Sequence, residues 1–433
     1  MATLPPGDIG LPLLGETLAF LKNGFDFVES RAKQHGPVFR TRILGRDTAV
    51  IVGPDAAALW IDPAIIKREG SQPGFFFEIL AGPSLPHLDD DAHRNRKKLI
   101  LAGFTREALA RYLPDLVRIV ERAATRWAAA GEMTWIPELK RLAIEGICAN
   151  VMGIESPEEI VREYDTIIKG TAGLPINLPG TAFHRCLKAR DRMLDRFAAA
   201  VREHQATPRD DGISRILAAS LPDGTKTDPE ALKRELHHII IAGYIIFAEF
   251  AWAALELNRR PELRRDLEAE VRGGELTIES LDRMALLTQT VMEVKRLCPI
   301  LPVIFGKARR EFEFKGHTVP EGWAVFWGLR STHLDRAVCA DPESFDPARF
   351  SPARGEHMKH PHAFVPQGPG PDEGHKCPGT DYATYFMKIF IAVLLRGGYT
   401  WDVPEQDLTY HWGRIPPEPK SGLRVRVTPS TAS

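Results

Sequence analysis

Between residues 91 and about 220, apolar residues recur at intervals of three and four, as in LARYLPDLVRIVERAATRWAAA and RLAIEGICANVMG. That period predicts helices with one buried face. The segment GTAGLPINLPGTAF, residues 170–183, interrupts them, because its glycines and prolines exclude a continuous helix. A long helix is predicted over about 229–258, ended by Pro261, and another over roughly 278–297. Apolar and β-branched residues predict short strands near 38–42, 49–52, 311–314, 324–326 and 423–427. Pro5, Pro6, Gly7 and Pro12 make the opening a non-helical arm, with helix resuming near Glu16. Many helices, few strand pairs and no βαβ alternation predict a mainly α protein.

The most apolar run, residues 239–248, is flanked by His237, His238 and Glu249. A spanning helix needs about 20 apolar residues, so this run predicts a buried helix and no membrane anchor. The first residues lack a basic stretch followed by an apolar one, so no signal peptide is expected. With 433 residues and no linker or repeat, one domain over 1–433 is expected. Lys plus Arg total 56 against 57 Asp plus Glu, which gives no electrostatic case for nucleic acid or an anionic membrane. Five cysteines, none in a CxxC pair, exclude a disulfide scaffold and argue against structural zinc. A soluble, cytoplasmic monomer is expected.

Candidate chemistry concentrates in HAFVPQGPGPDEGHKCPGTDYATYFMKIFIAVLLRGG. Cys377 ends a glycine-rich loop and opens an apolar helix, with Pro378 suited to the first helical position. Unpaired N–H groups at a helix start favour thiolate, which suits a nucleophile or a metal ligand. The ordinary alternative is a buried structural cysteine. Glu293 and Arg296 stand at i, i+3 in EVKRLCP, Arg349 lies in the proline-flanked DPARF, and His93 and Lys97 stand at i, i+4 in DAHRNRKK. Taken singly, such spacings usually mark solvated surface pairs.

In this order, these elements resemble the cytochrome P450 family over essentially the whole chain. The resemblance implies the P450 fold: a large helical domain with a few small sheets. It also implies a heme b cofactor (iron protoporphyrin IX) with Cys377 as its axial metal ligand. Glu293, Arg296 and Arg349 then match the structural triad. His93, Lys97, Ala242, Gly243, His375 and Gly379 fall at cofactor-binding positions, with His375 where most members carry an arginine. The first half, including PGDIGLPLLGETLAFLKNG, resembles the retinoid-hydroxylating branch and its cyanobacterial relatives. The Cys loop and DVPEQDLTYHWGRIPPEPKSG are more similar to bacterial fatty-acid peroxygenases.

The expected distal helix departs from the family pattern. Most members carry Ala-Gly, a variable residue, then an acid and a threonine that relay protons. Here the segment reads Ala242-Gly243-Tyr244-Ile245-Ile246. The peroxygenases' Arg-Pro is missing too, since no arginine lies between Arg234 and Arg259. Glu249 is the nearest carboxylate, one turn on, and its ordinary reading is salt-bridged or solvent-facing. With Tyr244, Ile245, Ile246 and Glu249 as catalytic-site candidates, three routes remain: a proton from the substrate, peroxide in place of O₂, or a pre-activated substrate with an O–O or N–O bond. The last would lead to rearrangement or nitrene-type C–N bond formation.

The implied substrate is a hydrophobic small molecule of secondary metabolism, with Phe76, Phe77, Leu174, Phe247, Ala248, Val303 and Ile304 as pocket candidates. Arg94, Arg96 and Lys98 could dock a ferredoxin- or flavodoxin-type electron donor, unless none is needed. No fused reductase is expected, because no flavin or nicotinamide fingerprint occurs. A heme-binding sensor or carrier without turnover is the reading from a different class.

Overall fold

A helix that is apolar all round must lie inside a core, and Thr380–Arg396 is such a helix: its residues from Tyr385 to Leu395 are all buried. It packs along the 25-residue Arg106–Ala130 helix, whose apolar stripe includes Leu109, Leu116, Val120 and Trp127. The computed structural model describes residues 3–154, 157–171, 175–298, 300–412 and 414–429. Helices predominate, and the main core cluster gathers side chains from Ile79 to Val427.

The largest sheet has five strands in the order Val38–Ile43, Arg46–Val52, Ala324–Gly328, Val303–Ala308, Ile66–Lys67. Its central strand, Ala324–Gly328, is buried throughout; it runs parallel to Arg46–Val52 and antiparallel to Val303–Ala308. Pairing of Lys67 with Lys307 brings Arg68 to the sheet edge, where its guanidinium donates to the Phe305 carbonyl. The expected strands are present with ends shifted by one to three residues, whereas Val303–Ala308 and Ile66–Lys67 of the same sheet were not expected from the residue pattern.

Two expected helices are interrupted. Residues 229–258 form Pro229–Tyr244 and Phe247–Arg259, separated at Ile245–Ile246. There the Ile246 N–H donates to Gly243 O at 3.4 Å and the Ala248 N–H to Ile245 O at 3.3 Å, so i→i−3 bonds replace the α ladder for one turn. Similarly, residues 278–297 form Ile278–Arg283 and Ala285–Leu297, parted at Met284, whose ψ of 88° is not helical. The apolar stretch around the first break is wider than the ten-residue run suggests. By length and composition Pro229–Arg259 could cross a membrane, yet 67% of its apolar window is buried in the fold, as in a core helix.

Beside the core, Glu293, Arg296 and Arg349 form a buried network. Arg296 Nε and Nη2 donate to the two Glu293 oxygens at 2.7 and 2.8 Å, and Arg349 Nε donates to Oε1 at 3.0 Å. The remaining guanidinium donors reach carbonyls of Pro342, Ser344 and Ala340. Glu356, absent from the sequence reading, is a fourth member, accepting Arg349 Nη1 at 2.7 Å. His333 carries the network onward: its Nδ1 donates to Arg296 O and its Nε2 accepts from the Val365 N–H, at the root of the Cys377 loop. Burial beside Arg296 holds His333 near pKa 3, so the ring is neutral and can serve as both donor and acceptor.

Candidate active site

A single cavity is lined by Cys377, by the cavity-facing stripe of the interrupted helix and by Val303, Ile304 and Phe305 of the sheet. The thiol comes from a loop tied at several points. The Cys377 N–H donates to Gln367 O at 2.9 Å, and the Gly379 N–H is directed at the thiol. The Gln367 side chain is held by Lys295 Nζ at 3.0 Å, which also donates to Thr384. The Thr380–Arg396 helix begins two residues later than expected, so Pro378 lies in the turn and the Thr380 hydroxyl donates to Cys377 O at 2.7 Å. Burial raises the thiol pKa, while the Gly379 N–H and the Lys97 and Lys295 ammoniums pull it down.

One rim of the cavity is nitrogen-rich. His93 and Lys97 are buried on one face of Asp90–Leu101 and both line the cavity. The Lys97 ammonium donates to the carbonyls of Gly374 and Lys376, so it braces the Cys loop; burial lowers its pKa to about 8. His93 stacks on His375, with ring centroids 3.8 Å apart. Burial, then the neighbouring His375, lowers His93 to about 3. His375 Nε2 lies 3.6 Å from Asp89, which also accepts the N–H groups of Arg68 and Glu69. Although burial opposes it, His375 and those N–H groups hold Asp89 at about 2. Arg68 completes the rim and went unnoticed in the sequence, where it is one basic residue in IIKRE with no helical partner.

Along the opposite wall, Ala242, Gly243, Ile245, Ile246 and Glu249 line the cavity. A Cβ on Gly243 would meet two Ile147 side-chain carbons at 3.0 Å, so this glycine permits close approach of the Trp135–Ile147 helix. Among the described residues Glu249 has no salt-bridge partner, and it does not face solvent. It is 2% exposed, its Oε2 has no hydrogen-bond partner among the described residues, and burial raises its pKa.

Several expected residues sit elsewhere. The Tyr244 hydroxyl donates to Asp165 at 3.3 Å and its ring packs on Phe247, because both point to the far side of the helix. Ala248 is buried in the core and likewise does not line the cavity. Phe76 lies behind Phe305, and Phe77 is 44% exposed, with His87 against its ring, because the short Gly74–Ile79 helix turns them from the cavity. Leu174 lies outside the described residues. Arg96 leaves the surface set, since Nη1 donates inward to buried Glu235 at 2.9 Å. Glu235 and His238 also line the cavity, and the spacing 235, 238, 242, 245, 249 is the helical signal that could have found them.

A family model described as Cytochrome P450 matches residues 5–411. Cytochrome P450 120 of Synechocystis sp. is 32% identical over 435 residues, covering 98% of this chain and 96% of the relative. A solved structure described as retinoic acid bound cyanobacterial CYP120A1 superposes with a TM-score of 0.92 at 30% identity, covering 99% of this chain and all of the other. One of Cytochrome P450SP alpha (CYP152B1) does so at 0.81 and 25% identity, covering 96% of this chain and 99% of the other.

Proposed function

The chain belongs to the cytochrome P450 family, and on that premise we propose that it is a soluble, cytoplasmic, monomeric biosynthetic oxidoreductase that transforms a hydrophobic small molecule without a protein-borne acid–alcohol pair. As a family member it is a heme-thiolate oxidoreductase. The donor set suits heme b: one thiol, a rim of Arg68, His93, Lys97 and His375 for the propionates, and mostly apolar walls. Bound there, the heme supplies oxygen- or peroxide-activating chemistry, with thiolate ligation favouring O–O cleavage.

Cys377 would hold the heme iron through its thiolate sulfur, and the Gly379 N–H directed at that sulfur would moderate its charge. Lys97, bonded to the loop carbonyls, keeps the thiol aimed into the cavity. Glu293, Arg296 and Arg349 are the scaffold behind the loop, linked to it through His333. On the opposite wall Ile245 and Ile246 exclude water and offer no proton.

That isoleucine pair carries the proposal. General acid–base assistance typically contributes 10²–10⁴-fold, so its loss should damage ordinary O₂ turnover. Its absence directs proton supply to the substrate itself, replaces O₂ by peroxide, or suits a substrate that arrives with an O–O or N–O bond. The same dry wall favours the last as a second reading, since it shields a reactive species from water. Exposed Arg94 and Lys98 offer a ferredoxin- or flavodoxin-type donor a basic contact if electrons are needed.

The test supplies purified holoprotein with a substrate panel, in parallel with O₂ plus a surrogate reductase and with peroxide, and measures product per NADPH consumed. Poor coupling with O₂ and better turnover with peroxide or pre-activated substrates is expected. Tight coupling with O₂, unaffected by deleting substrate hydroxyl or carboxyl groups, would overturn the proposal. Absence of product under every condition would assign a sensor or carrier instead.

A further inference from the structure

The cavity has a polar corner that the proposed chemistry does not use. On the Pro229–Tyr244 helix, before Ala242, Glu235 and His238 face the cavity beside Leu85, Pro86 and Ile239. Glu235 is 1% exposed and fully engaged: it accepts Arg96 Nη1 at 2.9 Å and the Leu85 N–H at 3.0 and 3.1 Å. Burial opposes its ionisation, but His238, the Leu85 N–H and Arg96 together hold its pKa below the ordinary value. His238 Nδ1 lies 3.6 Å from Glu235 Oε2, and no described residue hydrogen-bonds its Nε2. Behind it, His87 is held near pKa 4, chiefly by burial, and is neutral.

Nδ1 faces the Glu235 carboxylate, which leaves Nε2 as the polar atom that a ligand's hydroxyl can meet, as donor or acceptor according to the tautomer. Arg96 and Glu235 cancel in charge, so this ion pair leaves no free charge for a ligand in the corner. An anionic headgroup would meet the Glu235 carboxylate, whose cation is already engaged. A plain hydrocarbon would leave the imidazole nitrogen unpaired in an apolar chamber, which is costly.

We propose that His238, oriented by Glu235, anchors the hydroxyl group of an otherwise hydrophobic alcohol. This rests on the reading of the cavity as the substrate chamber of a heme-thiolate enzyme. Ile245 lies seven positions beyond His238, about 10 Å along a helix axis, so the anchored hydroxyl lies remote from the isoleucine turn. The substrate class is a lipophilic alcohol, altered at a carbon distant from its hydroxyl. His238 touches the substrate; Glu235 is a positioning residue.

Calorimetric titration of the holoprotein tests this with two matched sets: cyclododecanol, methylcyclododecane and cyclododecanecarboxylate, and decanol, undecane and decanoate. At least one alcohol should bind about tenfold more tightly than its hydrocarbon and its carboxylate. In His238→Phe the preference over hydrocarbon should fall within about twofold, with hydrocarbon binding retained. His238→Gln, which keeps an acceptor, should recover part of it. Glu235→Gln, which keeps the Arg96 contact but loses the charge, should weaken alcohol binding alone. No alcohol preference in either set (no binding included), a tighter carboxylate, or a preference that survives His238→Phe would each overturn the inference. A Soret band of ligand-free protein that moves in His238→Phe would assign the imidazole to iron and overturn it as well. The reduced carbon monoxide spectrum separates the two levels: a wild-type protein without the thiolate-type band fails the functional reading, whereas a normal band without alcohol preference fails only this inference.

Discussion

The two walls of the cavity are built on opposite principles. Around Cys377, backbone and side-chain groups are tied down: Gln367 O takes the Cys377 N–H, Lys97 grips two loop carbonyls, and Lys295 fixes Gln367. Across the cavity, the Ile245–Ile246 turn offers no side-chain hydrogen bond, and the next polar group along the stripe, Glu249, has an oxygen without a described partner. The metal-binding role proposed for this thiol calls for a fixed position and a stabilised charge, which an over-determined wall supplies. A wall that only shapes and dries the chamber needs apolar bulk, so polar fixation is dispensable there.

The largest test of this contrast is Cys377→Ala, which should abolish the thiolate-type Soret band of the reduced carbon monoxide complex; a variant that keeps the band removes the assignment. Next, Glu293→Ala leaves Arg296 and Arg349 uncompensated in a buried network. Breaking a buried pair costs about 3–5 kcal/mol, and here it should also loosen the loop through His333. Little folded, heme-loaded protein is expected, and normal heme content with an unchanged melting temperature would contradict the scaffold role.

On the other wall, Ile245→Glu with Ile246→Thr installs an acid and an alcohol. Coupled O₂ turnover should rise, by at most about 10²–10⁴-fold, while the native reaction weakens; product per NADPH reads the outcome. Gly243→Ala forces Ile147 to yield where a Cβ would come within 3.0 Å. Overpacking of this kind costs about 1–3 kcal/mol, measurable by denaturant unfolding, with no change in the carbon monoxide band.

The smallest effect concerns Glu249, whose folded pKa is raised by burial. The folded protein binds this proton more tightly than the unfolded chain, so its contribution to stability is present below the ordinary carboxyl value and is lost as pH rises through the folded value. Glu249→Gln should therefore melt like wild type near about pH 4 and above it near about pH 8. An unchanged difference across that range would show Glu249 to be paired in solution.

The order of motifs along the chain already carried the resemblance to the fold family and picked out the Cys377 loop and Glu293, Arg296 and Arg349, because a buried ion network requires particular residues at particular chain positions. The apolar pair at Ile245–Ile246 was equally visible, since two isoleucines replace proton carriers whatever the surrounding packing. Side-chain direction was another matter. Tyr244 and Phe247 point away from the cavity and Glu249 into it; the helical stripe runs on through the tight turn at Ile245–Ile246, and packing against the loop of Cys377 decided that this stripe, and not the Tyr244 face, lines the cavity. Arg68 and Glu356 carried no local motif, and Glu235 only a place on a helical stripe; each gains its meaning from a strand edge, a helix or a loop distant in sequence. Periodicity thus determined the helical class, and the motifs, through their resemblance, the chemistry to expect, whereas only tertiary packing decided which charges are buried together, since burial and pairing arise between segments that share no sequence neighbourhood.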